Sequence, residues 1–286
     1  MSKMTMNDDN CLLSVCSFNC RSLKLNQIVI SDLCSHHDIV LLQEHWLMPH
    51  ELYMLNQIHN NFSGTGISAI DTSLDVVCGR PYGGTAILFK KSIATNISIV
   101  ASNNSRITGI NIITSSGTIQ LLNVYLPCNY GDDESLVEYI ECLSVLDALI
   151  VQSDAIHTII AGDFNCGTGS RFFSLLNNFA NENGLVMSDM MRLSNISTYI
   201  SDDGLKSSWV VHVLSSETIN SCICNVNVLH DVIVSDRRPL TFCFACNLDT
   251  TAPIILNVLL FRLFCHNAAC VVMRCCSISN KLSIDC

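Results

Sequence analysis

The run His157-Thr158-Ile159-Ile160-Ala161-Gly162-Asp163-Phe164-Asn165 decides how the rest of the chain is read. A short apolar run of this kind predicts a strand buried on both faces. Gly162 then lets the backbone turn, and Asp163 and Asn165 emerge at the strand's end with a bulky apolar residue between them. Alternation puts the two polar side chains on one side. A carboxylate and an amide held side by side on a rigid edge suit the positioning of a water and a phosphate oxygen. A turn with an Asx cap after a core strand accounts for the same residues without any chemistry. The neighbouring chain has to decide.

Upstream, the spacing predicts a helix over residues 134–152, with Leu136, Ile140, Leu143, Leu146 and Ile150 on one face. Before it, Ile107 to Thr114 and Thr118 to Tyr125 read as strands joined by Ser115-Ser116-Gly117, a hairpin signal. Gly83 to Phe89 opens this β-rich section, and residues 59–80, rich in Gly, Ser, Thr and Asn, read as a loop. Nearer the start, Leu12 to Cys20 is a strand, and Leu25, Ile28, Val29 and Leu33 follow at helical spacing. Asp38 to Gln43 is a second buried strand that ends on Glu44, and Pro49 starts a short helix with Leu52, Leu55 and Ile58 inward. Downstream, Phe172, Leu175, Leu176 and Phe179 form another helix face. Ser207 to Leu214, Val232 to Asp236 and Thr241 to Cys246 read as strands. Strands and helices interleave, which predicts an α/β fold with mixed sheets covered by helices.

At 286 residues, 49% hydrophobic and 14% charged, the chain can bury a sizeable core. Its formal charge of -10 gives no global attraction to nucleic acid. A nucleic-acid enzyme of this composition would need a local basic rim or a divalent metal. The 17 cysteines are scattered without framework spacing, and residues 1–11 form a polar segment unlike a signal peptide. Reduced thiols in an intracellular compartment follow as the expectation. Cys222-Ile223-Cys224 and Cys243 to Cys246 lack a matching pair at zinc-finger spacing. His36-His37 reads as the closing end of a helix. The domain is placed at residues 12–246. Residues 247–286, cysteine-rich and apolar but interrupted by Asn257 and Arg262, are left unassigned and are too polar for a membrane span.

Polar residues close several of the predicted strands: Asn19, Glu44, Tyr125, Asp163 with Asn165, and Asp236. In layered α/β folds such ends converge at one edge, where sites are built. Glu44 and Asp236 are hard oxygen ligands of the kind Mg²⁺ takes, while Asn19, Tyr125 and Asn165 can hold a phosphodiester.

The sequence resembles the endonuclease/exonuclease/phosphatase superfamily, and within it the apurinic-type endonuclease domain of LINE-like retrotransposons. The matching pieces are Ser17 to Leu23, Leu42-Gln43-Glu44-His45-Trp46, Gly79 to Ala86, Asn123 to Pro127, Gly162-Asp163-Phe164-Asn165, Thr198-Tyr199, Ser208-Trp209 and Ser235-Asp236, in the family's order. The resemblance implies a four-layer α/β sandwich of two packed sheets flanked by helices. It also implies a divalent metal (Mg²⁺, with Mn²⁺ as an alternative), hydrolysis of DNA by an activated water, and a nuclear setting. Glu44 would then bind the metal with help from Asp236 and the Asn19 region, Asp163 would position or activate the water, and Asn165 and Tyr125 would hold the phosphate. Arg21, inside a family motif, would meet phosphate. No membrane and no obligate protein partner are implied.

Two positions depart from the pattern. The family's histidine after Ser-Asp is Arg237, and its orienting aspartate is Val211. Arg237 can bind a phosphate but cannot act as a base, since its pKa lies above about 12. His212 should point to the strand face opposite residue 211 and not substitute. The sequence therefore supports a DNA endonuclease domain impaired in catalysis, or a relic that keeps the fold and binds metal, phosphate or nucleic acid. A small-molecule phosphoesterase of the same superfamily fits the quoted motifs less well.

Overall fold

The structure, a computed structural model, describes residues 11–72 and 82–249. All of these fall in one compact unit, Met1–Pro253. Gly79, Arg80 and Pro81 of the quoted motif, and the unassigned segment from residue 250 onward, lie outside the described residues.

The first half of the chain forms β1 (Cys11–Asn19), α1 (Gln27–His36), β2 (Ile39–Gln43), β3 (Phe62–Ile67) and β4 (Thr85–Lys90). A 3₁₀ helix, Pro49–Gln57, joins β2 to β3. Next come β5 (Ile97–Val100), β6 (Ile107–Thr114), β7 (Gly117–Tyr125), α2 (Asp133–Val151) and β8 (His157–Asp163). The remainder is α3 (Arg171–Glu182), β9 (Leu185–Met187), β10 (Tyr199–Ile200), β11 (Ser207–Ser208), β12 (Val211–Ser216), α4 (Glu217–Asn220), β13 (Ile223–Val228) and β14 (Leu240–Cys246).

Two six-stranded sheets result, ordered β13-β14-β1-β2-β4-β3 and β5-β6-β7-β8-β12-β9, with β10-β11 a separate ribbon. Each sheet holds one parallel pair, β1 with β2 and β7 with β8. Parallel strands need a crossover, and α1 and α2 supply one each. Side-chain alternation sorts the core into layers. Ile159 and Ala161 of β8 join Val15, Leu41, Ile87, Leu121, Val213 and Phe242 between the sheets. Ile160 faces outward with Tyr139, Leu146, Phe172 and Leu176 of α2 and α3. On the far side Cys16 and Phe18 of β1 pack with Ile30, Leu33 and Cys34 of α1. This is the four-layer sandwich of two mixed sheets flanked by helices.

Gly162 is required for closeness rather than for a turn. It continues β8 at φ +153°, and a Cβ there would stand 2.1 Å from the Val124 carbonyl oxygen of β7. Only glycine lets the two parallel strands carry Tyr125 and Asp163 side by side.

Five readings from spacing are corrected. Residues 62–67 form β3, because Gly64 and Gly66 lie so close to β4 that a Cβ would meet Leu88 and Ala86 within 3 Å. Leu25 and Ile28 are exposed, and α1 buries Ile30, Leu33 and Cys34 instead. The buried stripe of α2 is Tyr139, Cys142, Leu143 and Leu146, with Ile140 exposed. Val232 to Asp236 is no strand. Arg238 Nη1 donates to the carbonyls of Val232 and Ser235 at 3.1 and 2.9 Å, replacing a ladder, and Ile233 and Val234 face solvent. The partner of β14 is β13. The Ser207 to Leu214 run is split between β11 and β12, where the Thr198 hydroxyl accepts both the Val210 and Val211 N–H at 2.9 Å. The helix-closing role of His36 and His37 holds, since each ring meets a carbonyl of α1 at 2.9 Å. Among the described residues no helix is long and apolar enough to cross a membrane.

Candidate active site

The two parallel pairs end at the same edge, and their terminal residues bond across the sheets. Asn19, fully buried at the end of β1, donates through Nδ2 to Glu44 Oε1 at 2.8 Å and to Asp163 Oδ2 at 3.0 Å. Beneath it Gln43 Nε2 donates to Asn123 Oδ1 at 2.6 Å, and Asn123 Nδ2 donates to the carbonyls of Leu42 and Ala86 at 2.9 Å. These amides fix the spacing of the sheets directly under the site, since buried polar groups are costly unless paired.

Glu44 leaves β2 in a left-handed conformation, φ +55°, and Trp46 repeats it at +56°. Such backbone is disfavoured for residues with a Cβ and persists only where surroundings enforce it. His45 provides the enforcement. Its Nδ1 accepts the Leu47 N–H at 2.9 Å, and Nε2 meets the Ile67 carbonyl at 3.0 Å, so the network assigns a neutral ring with the proton on Nε2. Burial pushes the His45 pKa down to about 4, against which the backbone hydrogen bonds work only partly. Trp46 Nε1 donates to Glu44 Oε2 at 3.2 Å.

Asp163 is fully buried. Its Oδ1 accepts the Asn165 N–H at 3.0 Å, which turns the chain into the left-handed φ of +49° at Asn165. Asn165 Nδ2 donates to the Leu126 carbonyl at 2.7 Å. Tyr125 sits opposite Asp163 in register and bonds Glu44. Burial, then the charges of Glu44 and Asp163, raise its phenol pKa, so it stays a neutral donor.

Asp236 reaches this edge from the irregular segment before β14, not from a strand end. The ribbon β10-β11 holds that segment, with Ile200 N–H donating to the Asp236 carbonyl at 2.9 Å and Arg238 N–H to the Thr198 carbonyl at 2.7 Å. Arg237 then spans the site. Its Nε is 2.9 Å from Asp163 Oδ2, Nη1 is 2.9 Å from Asp236 Oδ2, and Nη2 is 2.9 Å from Asn165 Oδ1. Its guanidinium lies over the Tyr199 ring, 4.5 Å from the centroid. Burial works against its charge, but Asp163 and Asp236 outweigh burial and raise its pKa above the ordinary value. Arg21, at φ +42°, places Nη1 3.4 Å from Asp236 Oδ2 and 3.8 Å from Asp202 Oδ1.

Val211 stands opposite Asp163 in the β12–β8 register and is buried between the sheets. His212 points to the other face, as alternation requires. Its Nδ1 is 2.9 Å from Asp189 Oδ2 and its Nε2 is 3.2 Å from the Cys166 carbonyl. Both ring nitrogens face acceptors, so both donate, and His212 is an imidazolium paired with Asp189. Burial opposes that charge, but Asp189 and the Cys166 carbonyl raise the pKa of His212 above its ordinary value.

The structure thus brings together all nine residues singled out from sequence. Arg237, with no carboxylate at position 211, takes Asp163 itself. The structure also adds Tyr199, Asp202, Asp189 and the Gln43–Asn123 bridge. Tyr199, Gln43 and Asn123 lie inside quoted motifs, while Asp189 and Asp202 carry no sequence signal. The cysteine pairs weighed for zinc hold free thiols.

The chain as a whole, with carboxylates and amides at one edge of a two-sheet sandwich, matches known proteins in sequence profile and in fold. The profile of the Endonuclease/Exonuclease/phosphatase family covers residues 16–243, and the chain belongs to that family. Solved structures share the fold at low identity. A 3' phosphatase from Neisseria, bound to a product DNA hairpin, is 15% identical with a TM-score of 0.65 over 81% of this chain and 99% of its own. The AP endonuclease LMAP from Leishmania major is 12% identical, with a TM-score of 0.65 over 82% and 87%. The endonuclease domain of TRAS1, a telomere-specific non-LTR retrotransposon, is 16% identical, with a TM-score of 0.59 over 82% and 98%. No curated protein matches the chain.

The family is generally divalent-metal dependent, but the residues present do not fit such an ion. Among the described residues no three His, Cys, Asp or Glu side chains gather as a metal site. Glu44 already accepts from Asn19 and Trp46, and Asp236 lies between two guanidinium groups. A hard dication needs oxygen ligands free to close around it.

Proposed function

We propose that this chain is a nucleic-acid-binding phosphodiesterase fold of the retrotransposon endonuclease type, with DNA as its ligand and hydrolysis impaired. The observation that carries the reading is the 2.9 Å ion pair between Arg237 and Asp163. Asp163 would have to hold or activate the attacking water, and Asn19 and Arg237 already occupy its Oδ2. Arg237 cannot accept a proton at neutral pH. A positioned acid–base group contributes typically ~10²–10⁴-fold in rate, so its loss leaves binding largely intact while hydrolysis falls. Asn165, Arg21 and the remaining N–H groups of Arg237 are the contacts offered to a phosphate, while the Tyr125 O–H is committed to Glu44.

A second reading, a Mg²⁺-dependent endonuclease that is still active, is favoured by the presence of Glu44, Asp163 and Asp236 at one edge of the sandwich. Nicking of supercoiled plasmid in Mg²⁺ separates the two. Wild type should nick slowly, and the Val211→Asp, Arg237→His double variant should gain about 10²-fold. Fast nicking by wild type would sink the impaired reading.

A further inference from the structure

We propose that Arg21 and Arg237 supply, from within the chain, the positive charge that a divalent cation would bring to this edge, so that the site binds a nucleic-acid phosphodiester without metal. The inference rests on the reading of the site as one that holds phosphate.

Glu44, Asp163 and Asp236 bring three carboxylates to one edge of the sandwich. Carboxylates so placed need compensating charge. Two guanidinium groups provide it. Arg237 bonds Asp163, Asp236 and Asn165, each at 2.9 Å, and Arg21 stands 3.4 Å from Asp236. Together they carry the charge of one dication. Their placement also works against a dication, because a metal approaching Asp236 would meet both guanidinium groups.

The same geometry leaves donors for an anion. A guanidinium carries five N–H groups, and Arg237 uses one on each nitrogen. One N–H remains on Nη1 and one on Nη2. The Arg21 side chain is 35% exposed and its carboxylate contacts are long, 3.4 and 3.8 Å, so most of its donors are uncommitted. Planar, always-charged forks of this kind recognise phosphate oxygens.

Two measurements on the full chain test the proposal. In the first, Mn²⁺ is titrated to millimolar into metal-free protein and followed by electron paramagnetic resonance. No saturable uptake is expected, and stoichiometric uptake overturns the proposal. In the second, a fluorescein-labelled DNA duplex is titrated in EDTA and in Mg²⁺ at matched ionic strength. The expected Kd values agree within about threefold, and a tightening of tenfold or more on adding Mg²⁺, about 1.4 kcal/mol, overturns it. Arg21→Gln, at a partly exposed position, should weaken binding in EDTA and lower the salt slope by about one phosphate contact. An unchanged slope removes Arg21 from the site. No duplex binding in either buffer refutes the phosphodiester reading itself, while the Mn²⁺ titration still decides on its own whether the arginines have displaced the metal.

Discussion

The two sides of the site are built by different rules. On one side, Asn19, Glu44, Tyr125, Asp163 and Asn165 sit at the ends of the central parallel strands and bond to one another or to nearby backbone. On the other, β12 and the segment before β14 present Val211, turned into the core, and Arg237, which crosses to bond the first side. The first side is self-contained. The second has no acceptor at position 211, and its Arg237 forms a strap across the neighbouring side. Each is backed by a buried histidine, and the two differ in charge. His45 behind Glu44 is neutral, while His212 behind Val211 is an imidazolium paired with Asp189. The difference teaches that a charged substitution at one wall survives when the facing wall already offers fixed acceptors.

The largest effect expected is at the back of the second side. Asp189→Ala strands the His212 charge and the Val213 N–H, which donates to Asp189 Oδ1 at 3.0 Å. Breaking a fully buried pair in this way should cost about 4 kcal/mol in urea unfolding. Asp189→Asn should cost less, because His212 can switch to a neutral tautomer with only Nε2 donating. The sign of the pH effect follows from the raised His212 pKa. Its contribution is fully present below the ordinary histidine value and is lost as pH rises through the higher folded value. Asp189→Asn should abolish that alkaline loss. If the loss persists in the variant, His212 is not the imidazolium.

The first side should respond to pH in the opposite direction. His45 titrates near 4 when folded against an ordinary 6.5. Between those values the unfolded chain binds a proton that the folded chain refuses, so stability falls as pH drops, by about 3 kcal/mol in all. Urea unfolding of wild type and His45→Gln between pH 7 and 4 checks this, the variant lacking that part of the slope. Equal slopes in both would show that His45 does not brace the turn carrying Glu44.

Most of the first side was legible in the sequence, and little of the second. Buried apolar runs ending on Asn19, Glu44, Tyr125 and Asp163 are local signals, and strand geometry alone carries them to one edge. Asp236 was legible as a residue but not in its setting, because Val232-Ile233-Val234 has strand composition and yet is held by Arg238 in an irregular path. The bonds of Arg237 depend on that path and on the ribbon β10-β11, neither of which has a periodic signature. His212 with Asp189 joins a residue of β12 to one in the turn after β9, with no motif between them. β3 was hidden because Gly64 and Gly66, needed for close approach to β4, read as loop residues.

The smallest effect should come from Arg237→Lys, and it tests whether the strap is real. Lysine keeps the charge and can reach one carboxylate, but a point ammonium cannot address Asp163, Asp236 and Asn165 together. It also forfeits the planar stack on Tyr199. The loss of two charge-assisted bonds, partly recovered by the ammonium and by water, should lower stability by about 2 kcal/mol. If the two sides were independent and Arg237 merely rested on the surface, the change would stay within the ~0.5 kcal/mol typical of surface substitutions. A Tyr199→Leu control isolates the stacking share. The strap predicts that Arg237→Lys and Tyr199→Leu are non-additive, because the lysine variant has already given up the stack.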